Sequence, residues 1–476
     1  MERSKATMFK RVVGSSPTAP TNIVIICRQV HMNNFPLNQR GVGKDFRMKR
    51  VSIGLIGFGT VGGSVVKILR QRRQLLMRRT GLDLRLQKIC VRDLRRKRDV
   101  VVPRAMLTQD IGEIIDNPDI DIIVELIGGI HPAKEIISRA LRRGKYVVTA
   151  NKALLADCGQ ELFRLSHKLG GGIRFEAAVA GGIPIIKSLK KGLVADKFSA
   201  IYGIVNGTSN FVLSQMSGLG MSFRDALRQA QEEGFAEKDP TLDIEGVDSA
   251  HKLIILAYLA FGRFVRLSDV FVEGITRISP DDIKYAAEMG LVIKPLAIAK
   301  KRKDELEARV HPTMIPQGHL LASVDGAFNA VYTSSDLVGD MLFYGQGAGG
   351  NPTASAVVSD IVSLAESRDR GIDSRPRGKK DKSCHLRRID QIDTRFYIRF
   401  MAIDHPGVLA RISGILGRHN ISIASVSQKE RRRARIVPVV MIIHEAKERS
   451  MRLALDEINK LRMVEEAVVI RIEGCA

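Results

Sequence analysis

The fold is decided by residues 48–65, MKRVSIGLIGFGTVGGSV. An apolar strand is predicted over 50–56, a turn with the pattern GxGxxG follows at 57–62, and a helix is predicted over 61–79. In this strand–turn–helix order the exposed N–H groups of the helix N-terminus face the phosphates of a bound dinucleotide. The stretch therefore predicts a nucleotide-binding βαβ unit.

Each glycine of this turn has its own physical task. Gly57 permits the tight turn, Gly59 lets the backbone approach a pyrophosphate, and Gly62 lets helix and strand pack closely. The predicted cofactor-binding residues of the turn are Gly57, Phe58, Gly59, Thr60, Val61 and Gly62.

Strands and helices alternate beyond the turn, which predicts βαβ units and a parallel sheet of the Rossmann type. The strands are predicted at 50–56, 84–91, 120–126 and 145–149, and the helices at 61–79, 110–116 and 132–143. At the end of the second strand, Asp93 would accept the ribose 2′-OH of NAD, whereas Arg92 would meet the 2′-phosphate of NADP. Lys97 and Arg98 follow closely, so the pattern favours NADP and leaves NAD open.

Beyond the parallel sheet, the sequence predicts a mixed region, a linker and a small C-terminal domain. Residues 173–310 mix helices with short strands, predicted near 173–179, 197–206, 272–276 and 292–299, which predicts an antiparallel sheet covered by helices. A glycine-rich turn at 344–355 introduces a helix at 352–366. A basic, polar segment then predicts a linker. Residues 395–472 show the order βαββαβ, a ferredoxin-like pattern complete in itself.

The predicted fold class is α/β, with a Rossmann-type parallel sheet, an α+β domain, which the family resemblance described below makes the catalytic and dimerisation domain, and a C-terminal ferredoxin-like βαββαβ domain. The predicted parts are a disordered or spurious extension at 1–47, a nucleotide-binding domain at 48–176, an α+β domain at 177–367, a linker at 368–393 and a small domain at 394–476.

Composition narrows the function classes. The longest apolar run, LIILAYLAFG at 253–262, is about half of what a membrane helix needs, so no membrane span is predicted. The net charge of +24 comes largely from segments without nucleic-acid motifs or interleaved aromatic residues, so a solvated basic surface is favoured over nucleic-acid binding. Five scattered cysteines indicate a reducing, cytoplasmic setting without a disulfide framework or a zinc site.

Residues 230–252, AQEEGFAEKDPTLDIEGVDSAHK, gather carboxylates around one lysine. Lys252 follows Asp248 at helical i, i+4 spacing. Glycine and proline residues break this stretch into turns, which a plain solvated helix face does not need. The acidic residues of the stretch are Glu237, Asp239, Asp243, Glu245 and Asp248.

Two further segments carry candidate site residues. Lys152 follows the strand at 145–149, and the carboxyl ends of parallel strands face the ligand crevice. Residues 175–186, FEAAVAGGIPII, form a predicted strand end whose carbonyls and Glu176 could cage a hard cation, although a plain turn is the simpler interpretation.

These motifs together resemble the homoserine dehydrogenase family over roughly residues 49–366. The blocks that carry the resemblance are GLIGFGTVG, TANKALLA, EAAVAGGIPII, NGTSNFVL, GFAEKDPTLDIEGVDSAHK and GAGGNPTASAV. The tail, with DHPGVL at 404–409, resembles an ACT regulatory domain. No aspartate kinase domain precedes it, so the chain resembles the monofunctional form.

The resemblance implies an enzyme that interconverts aspartate 4-semialdehyde and homoserine with NAD(P)H in the biosynthesis of threonine, methionine and isoleucine. It implies that Lys252 exchanges the proton at the substrate oxygen, that Lys152 assists and contacts the cofactor, and that Glu237, Asp243 and Asp248 hold the substrate amino group. Asp248 would also hold the charge of Lys252. A pKa near the ordinary ~10.4 is expected for Lys252.

The same resemblance implies further sites. Arg92, Thr149 and Gly349 would complete the cofactor site, and Na⁺ or another monovalent cation would bind Glu176 and the carbonyls of Val179, Gly181 and Ile183. The ACT domain would bind threonine as a feedback inhibitor, in a homodimer or homotetramer. The predicted regulatory residues are Asp404, His405, Gly407, Val408, Asn420 and Ile421.

Two alternatives compete with this interpretation. A phosphorylating semialdehyde dehydrogenase would need a cysteine nucleophile, and the one cysteine near the substrate region, Cys158, lies in a helical stretch without a catalytic frame. An amino-acid-sensing protein built from the same two modules would not need Lys252 among carboxylates.

Overall fold

The computed structural model of the chain describes residues 48–367, 385–428, 436–465 and 467–474. The predictions for residues 1–47, and for most of the segment 368–393, lie outside the described residues. Within the described ranges, no helix is long and apolar enough to cross a membrane.

The first sheet is a six-stranded parallel sheet in the order β3-β2-β1-β4-β5-β6, which confirms the predicted Rossmann topology. Its strand β1 is buried on both faces, with Val51, Ile53 and Leu55 fully buried on one face and Ser52 and Ile56 buried on the other. The elements are β1 Lys49–Ile56, α1 Thr60–Gln71, α2 Arg73–Thr80, β2 Leu82–Cys90, β3 Leu107–Thr108, α3 Gly112–Ile115, β4 Ile122–Glu125, α4 Ala133–Arg142, β5 Tyr146–Thr149, α5 Lys152–Lys168 and β6 Ile173–Arg174.

The glycines of the 57–62 turn meet different constraints. Gly57 has φ +103°, and a Cβ there would lie 2.7 Å from the backbone of Leu126. A Cβ at Gly62 would lie 2.3 Å from the carbonyl oxygen of Gly57, so strand and helix meet closely there. A Cβ at Gly59 would meet nothing within 4 Å, so this position faces open space, as a phosphate approach requires.

The middle of the chain forms the antiparallel strands β12-β11-β7-β9-β10, covered by helices. Its elements are α6 Ile185–Lys187, β7 Phe198–Ile204, α7 Gly207–Leu219, α8 Phe223–Glu232, α9 Thr241–Ile244, α10 Val247–Phe261, β8 Phe271–Val272, α11 Pro280–Glu288, β9 Leu291–Arg302, β10 Glu305–Pro316, β11 Phe328–Ser335, β12 Asp340–Gln346 and α12 Gly350–Ser367.

Two sequence predictions in this region are wrong in detail. The strand expected over 173–179 ends at Arg174, because Glu176–Ala178 turn into a 3₁₀ helix that lets the Glu176 N–H meet Asp360. The strand expected over 272–276 is reduced to Phe271–Val272. The boundaries between domains at 176 and 367 stay predictions.

The tail has the strand order β17-β14-β16-β15 with two helices, which confirms the ferredoxin-like pattern. Its elements are β13 His385–Leu386, β14 Asp393–Ile403, α13 Val408–Arg418, β15 Ile423–Ser427, β16 Ile436–Lys447, α14 Glu448–Ile458 and β17 Val468–Ile472.

The tail also pairs with the preceding part of the chain, which the sequence pattern did not indicate. Strand β17 pairs in parallel with β10, placing Arg471 opposite Thr313 and Ile472 opposite Met314, so one eleven-stranded sheet runs through both parts. Ion pairs join the tail to the preceding part of the chain in addition to the backbone hydrogen bonds. Buried Glu473 accepts hydrogen bonds from Lys300 and Arg309, and Arg471 donates to Glu448 at 2.5 Å and to Glu273 at 2.8 Å.

Candidate active site

The centre of the candidate site is one lysine–carboxylate pair on α10. Lys252 and Asp248 are one helical turn apart, and the Lys252 Nζ donates to Asp248 Oδ2 at 2.6 Å and to the Val205 carbonyl at 2.5 Å. Lys252 is 7 % exposed. Burial, with the nearby charge of Lys152, lowers the Lys252 pKa below its ordinary value despite the attraction of Asp248. The expected ordinary pKa for Lys252 was therefore wrong, because the sequence did not show how deeply the ammonium is enclosed.

A second lysine shares the same carboxylate. Lys152, the first residue of α5, places its Nζ 2.7 Å from Asp248 Oδ1, while its side chain stays half-exposed. Burial acts against its charge, but Asp248, Asp243 and Glu237 raise the Lys152 pKa above its ordinary value. The pKa of Asp248 lies far below its usual range, since the two ammonium groups outweigh the effect of burial.

Asn206 joins two of the predicted carboxylates, and sequence analysis missed it. Its Nδ2 donates to Asp243 Oδ1 at 2.7 Å and to Asp248 Oδ2 at 2.8 Å, while its Oδ1 accepts from the Ser209 N–H at 2.8 Å and so caps α7. An asparagine directly before a predicted helix was the available signal. Its long-range bonds were not visible in the sequence.

The acidic stretch divides in the structure. Asp243 lies beside Asn206, and Glu237 lies in an exposed turn where its charge acts on Lys152. Asp239 instead accepts from the Thr241 hydroxyl at 2.6 Å, and Glu245 faces Thr276. Asp243 and Asp248 therefore lie at the two lysines and Glu237 acts on Lys152 through its charge, whereas the other two carboxylates bond within local turns.

The nucleotide turn has neighbours from distant parts of the chain. Gly349, with φ +116°, leads into α12, and a Cβ at Gly350 would lie 2.7 Å from Ser64 Oγ on α1. The Arg98 guanidinium lies 5.5 Å from the centre of the Phe58 ring. Arg92 is exposed just beyond β2. The structure thus brings the predicted cofactor residues Phe58, Gly349 and Arg92 to the rim of one sheet.

Thr149 is fully buried at the end of β5, and its hydroxyl donates to Glu125 Oε2 at 2.6 Å. Glu125 and Asn151, which caps α5 by accepting from the Leu154 N–H, are further residues that sequence analysis missed. A charged residue ending an apolar strand was the only signal for Glu125.

The candidate cation site surrounds Glu176. Its carboxylate accepts from the N–H groups of Ile186 and Lys187 at 2.8 and 2.9 Å, and burial together with Asp360 raises its pKa to about 7. Glu176, Gly181 and Ile183 line one cavity of about 500 Å³, whereas Val179 is fully enclosed. Among the described residues, no group of three or more His, Cys, Asp or Glu side chains could hold a metal ion.

The predicted regulatory residues lie in two places. Asp404, His405, Gly407 and Val408 form the turn at the start of α13, where Gly407 has φ +92°. Asn420 and Ile421 follow the other end of this helix, with Asn420 at φ +58°. Eleven residues of α13 separate the two groups by roughly 16 Å. One copy of the chain therefore does not bring them into one pocket.

The arrangement around Asp248 has a definite chemical capacity. One carboxylate holds two ammonium groups, of which Lys252 is the easier to deprotonate and Lys152 the harder. Such a centre can deliver a proton to an oxygen atom, stabilise negative charge on it and take the proton back.

Comparison with known proteins gives consistent matches. The family model "Homoserine dehydrogenase" matches residues 184–362, "Homoserine dehydrogenase, NAD binding domain" matches 57–176, and "ACT domain" matches 396–462. The homoserine dehydrogenase of Neisseria gonorrhoeae is 42 % identical over 433 residues, covering 90 % of this chain and 99 % of that protein.

Solved structures agree. A homoserine dehydrogenase from Thiobacillus denitrificans matches with a TM-score of 0.83 and 41 % identity, covering 90 % of this chain and 99 % of that one. A hyperthermophilic archaeal homoserine dehydrogenase in complex with NADPH matches with a TM-score of 0.57 and 26 % identity, covering 67 % of this chain and 98 % of that one.

Proposed function

The chain belongs to the homoserine dehydrogenase family and is an NAD(P)-dependent oxidoreductase, and we propose that Lys252 is the proton donor and acceptor of its reaction. The substrates are taken to be L-aspartate 4-semialdehyde and L-homoserine, in the pathway to threonine, methionine and isoleucine. The observation that carries the proposal is the enclosure of Lys252 between Asp248 and the Val205 carbonyl.

When bound, the nicotinamide coenzyme supplies a hydride to the aldehyde carbon or removes one from the alcohol carbon. In the reducing direction the carbonyl oxygen gains negative charge, and Lys252 transfers one proton to it, which leaves a neutral amine and an alcohol. In the oxidising direction the neutral amine accepts the hydroxyl proton. The charge of Lys152, held by Asp248, stabilises the oxygen while it is negative.

The carboxylates have separate tasks in this proposal. Asp248 is occupied by Lys152, Lys252 and Asn206, so it holds the lysines in place. Glu237 and Asp243 are the more accessible and would receive the substrate ammonium group.

The pH dependence of the two directions tests the role of Lys252. Because burial lowers its pKa, the neutral form increases with pH at values below the ordinary ~10.4. Homoserine oxidation should therefore accelerate as pH rises through this lowered pKa, while semialdehyde reduction slows over the same interval. Coenzyme absorbance followed from pH 6 to 10, with NADP and NAD in parallel, measures both.

Enzyme held at each pH and then assayed at pH 7.5 controls for inactivation. An oxidation rate that stays flat over the whole interval, with stable enzyme, would remove Lys252 from this role. Reduction of the semialdehyde that is undetectable with either coenzyme would reject the proposed activity itself.

NADP is the proposed preferred coenzyme. Arg92 lies exposed just beyond β2, and the Arg98 guanidinium, which donates to the carbonyls of Asp93 and Arg96, lies near the Phe58 ring, so positive charge is present near the expected 2′-phosphate position. The archaeal relative described as a complex with NADPH supports the same choice.

A monovalent cation at Glu176 is also proposed. The residues fit such an ion, because a buried carboxyl with a pKa raised to about 7 lies beside a cavity lined by the Gly181 and Ile183 segment. Glu176 and the carbonyls of Val179, Gly181 and Ile183 would hold it. A bound cation would stabilise the ionised form of Glu176 and the turn between the two sheets.

Threonine is the proposed inhibitor, bound by the ACT domain. Since the 404–408 turn and Asn420–Ile421 lie at opposite ends of α13, a pocket using both sets needs a second copy of the chain. This geometry supports the predicted homodimer or homotetramer. A cytoplasmic location stays a prediction from the sparse cysteines.

Asp404→Asn is expected to weaken threonine inhibition by about 10–100-fold, because one charge-assisted bond to the effector's ammonium group is worth about 1.5–3 kcal/mol. The measurement is the threonine concentration that halves turnover. Asp456→Asn, at an exposed position on α14, is the matched control. Equal inhibition of Asp404→Asn and wild type would reject the assigned pocket.

A further inference from the structure

Glu125 is a buried carboxyl group that none of the roles above uses. It ends β4 with 0 % exposure, and its position in the parallel register is opposite Thr149 of β5. Its Oε2 accepts from the Thr149 hydroxyl at 2.6 Å, and its Oε1 accepts from the Ile127 N–H at 2.8 Å. Burial raises its pKa above the ordinary value. Burying a carboxyl group lowers the free energy of unfolding unless hydrogen bonds replace those lost to water, so a buried carboxyl group indicates a structural or functional role.

One arm of hydrogen bonds runs from Glu125 to the start of α5. The Thr149 hydroxyl, which donates to Glu125, also accepts from the Asn151 N–H at 3.0 Å. Asn151 caps α5 through the Leu154 N–H at 3.1 Å, and Lys152 is the first residue of that helix. The orientation of the Lys152 side chain is therefore set by a helix start that is anchored on Glu125.

A second arm runs to the loop beside the nucleotide turn. Glu125 holds the Ile127 N–H, and the Asn151 Nδ2 donates to the Gly129 carbonyl at 2.5 Å. The Leu126 N–H donates to the Ile56 carbonyl at 2.8 Å, and the Leu126 backbone lies so close to Gly57 that a Cβ there would be 2.7 Å away. Residues 126–129 are thus held between the two strand ends and the glycine turn.

We propose that Glu125 is a positioning residue for the reaction: it fixes Lys152 against Asp248 and fixes the 126–129 loop against the coenzyme turn. The inference rests on the proposed function of Lys152. A displacement of about 1 Å at a reacting centre can cost on the order of 10²-fold in rate, so a buried anchor two hydrogen bonds away from the lysine can affect turnover.

Glu125→Ala removes both acceptors and should lower kcat by about 10²-fold. Glu125→Gln keeps one acceptor and should recover most of the loss. Asp282→Asn is the matched control, because Asp282 is an equally buried carboxylate that caps α11 and pairs with Arg399. It should lower the thermal midpoint without lowering the kcat of the folded enzyme.

A double-mutant cycle separates positioning from general stability. In a Lys152→Ala background, Glu125→Ala should cause a smaller loss of kcat than in wild type, because the part of the loss that acts through Lys152 is already gone and only the part that acts through the 126–129 loop is left. Full additivity of the two losses, or equal kcat losses in Glu125→Ala and Asp282→Asn, would overturn the proposal.

Chemical labelling of Lys152 gives a readout that does not depend on the reaction. The contact with Asp248 raises the Lys152 pKa and slows its acylation, so Glu125→Ala should make Lys152 label faster than wild type, as measured by peptide mass spectrometry. Unchanged labelling would overturn the proposal even if the enzyme is active. Faster labelling in a chain without dehydrogenase activity would support the positioning and reject the proposed function.

Discussion

Replacing Lys252 by alanine should lower kcat by about 10²–10⁴-fold in both directions, the range that a general acid or base contributes. The coenzyme dissociation constant should change little, because the Lys252 ammonium contacts Asp248 and Val205 and none of the residues of the glycine turn. Asp248 keeps Lys152 and Asn206 as partners in this variant, so its charge stays compensated. Steady-state rates and NADPH fluorescence titration measure the two quantities.

Lys294→Ala is the matched control for this prediction. Like Lys252, the Lys294 side chain is buried and its Nζ donates to one carbonyl, Val324 at 2.7 Å, and to one carboxylate, Asp325 at 2.8 Å. Both substitutions should lower the free energy of unfolding, because each removes the same two types of hydrogen bond. Only Lys252→Ala should also lower kcat. Comparable kcat losses in the two variants would mean that Lys252 contributes through the fold alone.

Glu473→Gln should lower the free energy of unfolding by about 3–5 kcal/mol, the cost of breaking a buried ion pair while its partners stay. Burial would raise the Glu473 pKa, but Arg309 and Lys300 hold it below its usual range, so the carboxylate is ionised and charge-compensated in the fold. The substitution leaves Arg309, which is 1 % exposed, without that negative charge. Urea unfolding of the full chain at pH 7 measures the change.

Glu457→Gln tests whether burial is the cause. Glu457 also contacts two basic side chains, Arg418 and His419, but this cluster is on the surface of the tail. Exposed ion pairs contribute little because water and salt screen them, so the urea midpoint should hardly change. Equal shifts in the two variants would contradict the assignment of Glu473 as the ionic anchor of the shared sheet.

The sequence predicted those features that depend on near neighbours along the chain. The glycine turn, the i, i+4 pair of Asp248 and Lys252, and Lys152 after a strand end all follow from local spacing. The alternation of strands and helices predicted the fold class, which the structure confirms, and the homoserine dehydrogenase resemblance agreed with it.

The sequence did not predict features that depend on contacts between residues far apart along the chain. Asn206 bonds carboxylates that lie 37 and 42 positions away, and Glu125 bonds Thr149 across two strands. The lowered pKa of Lys252 depends on a depth of burial that only the packed helix reveals. Strand β10 was not predicted, because Glu307 and Arg309 interrupt its apolar pattern. Both residues are buried, and they form ion pairs with each other and with Arg387 and Glu473, which lie far away in the sequence.

The shared sheet also has a consequence for how the protein is made. Thr313 of β10 pairs with Arg471 of β17, the last strand in the described chain. At about 5–20 residues per second, β10 is translated roughly 10–30 s before its partner. During that interval the end of β10 has no β17 edge and Arg309 has no Glu473. The end of β10 at Thr313 and Met314 therefore stays unpaired on that side until the tail is made, and ribosome-bound chains would expose a short open strand edge there that invites chaperone binding or premature association.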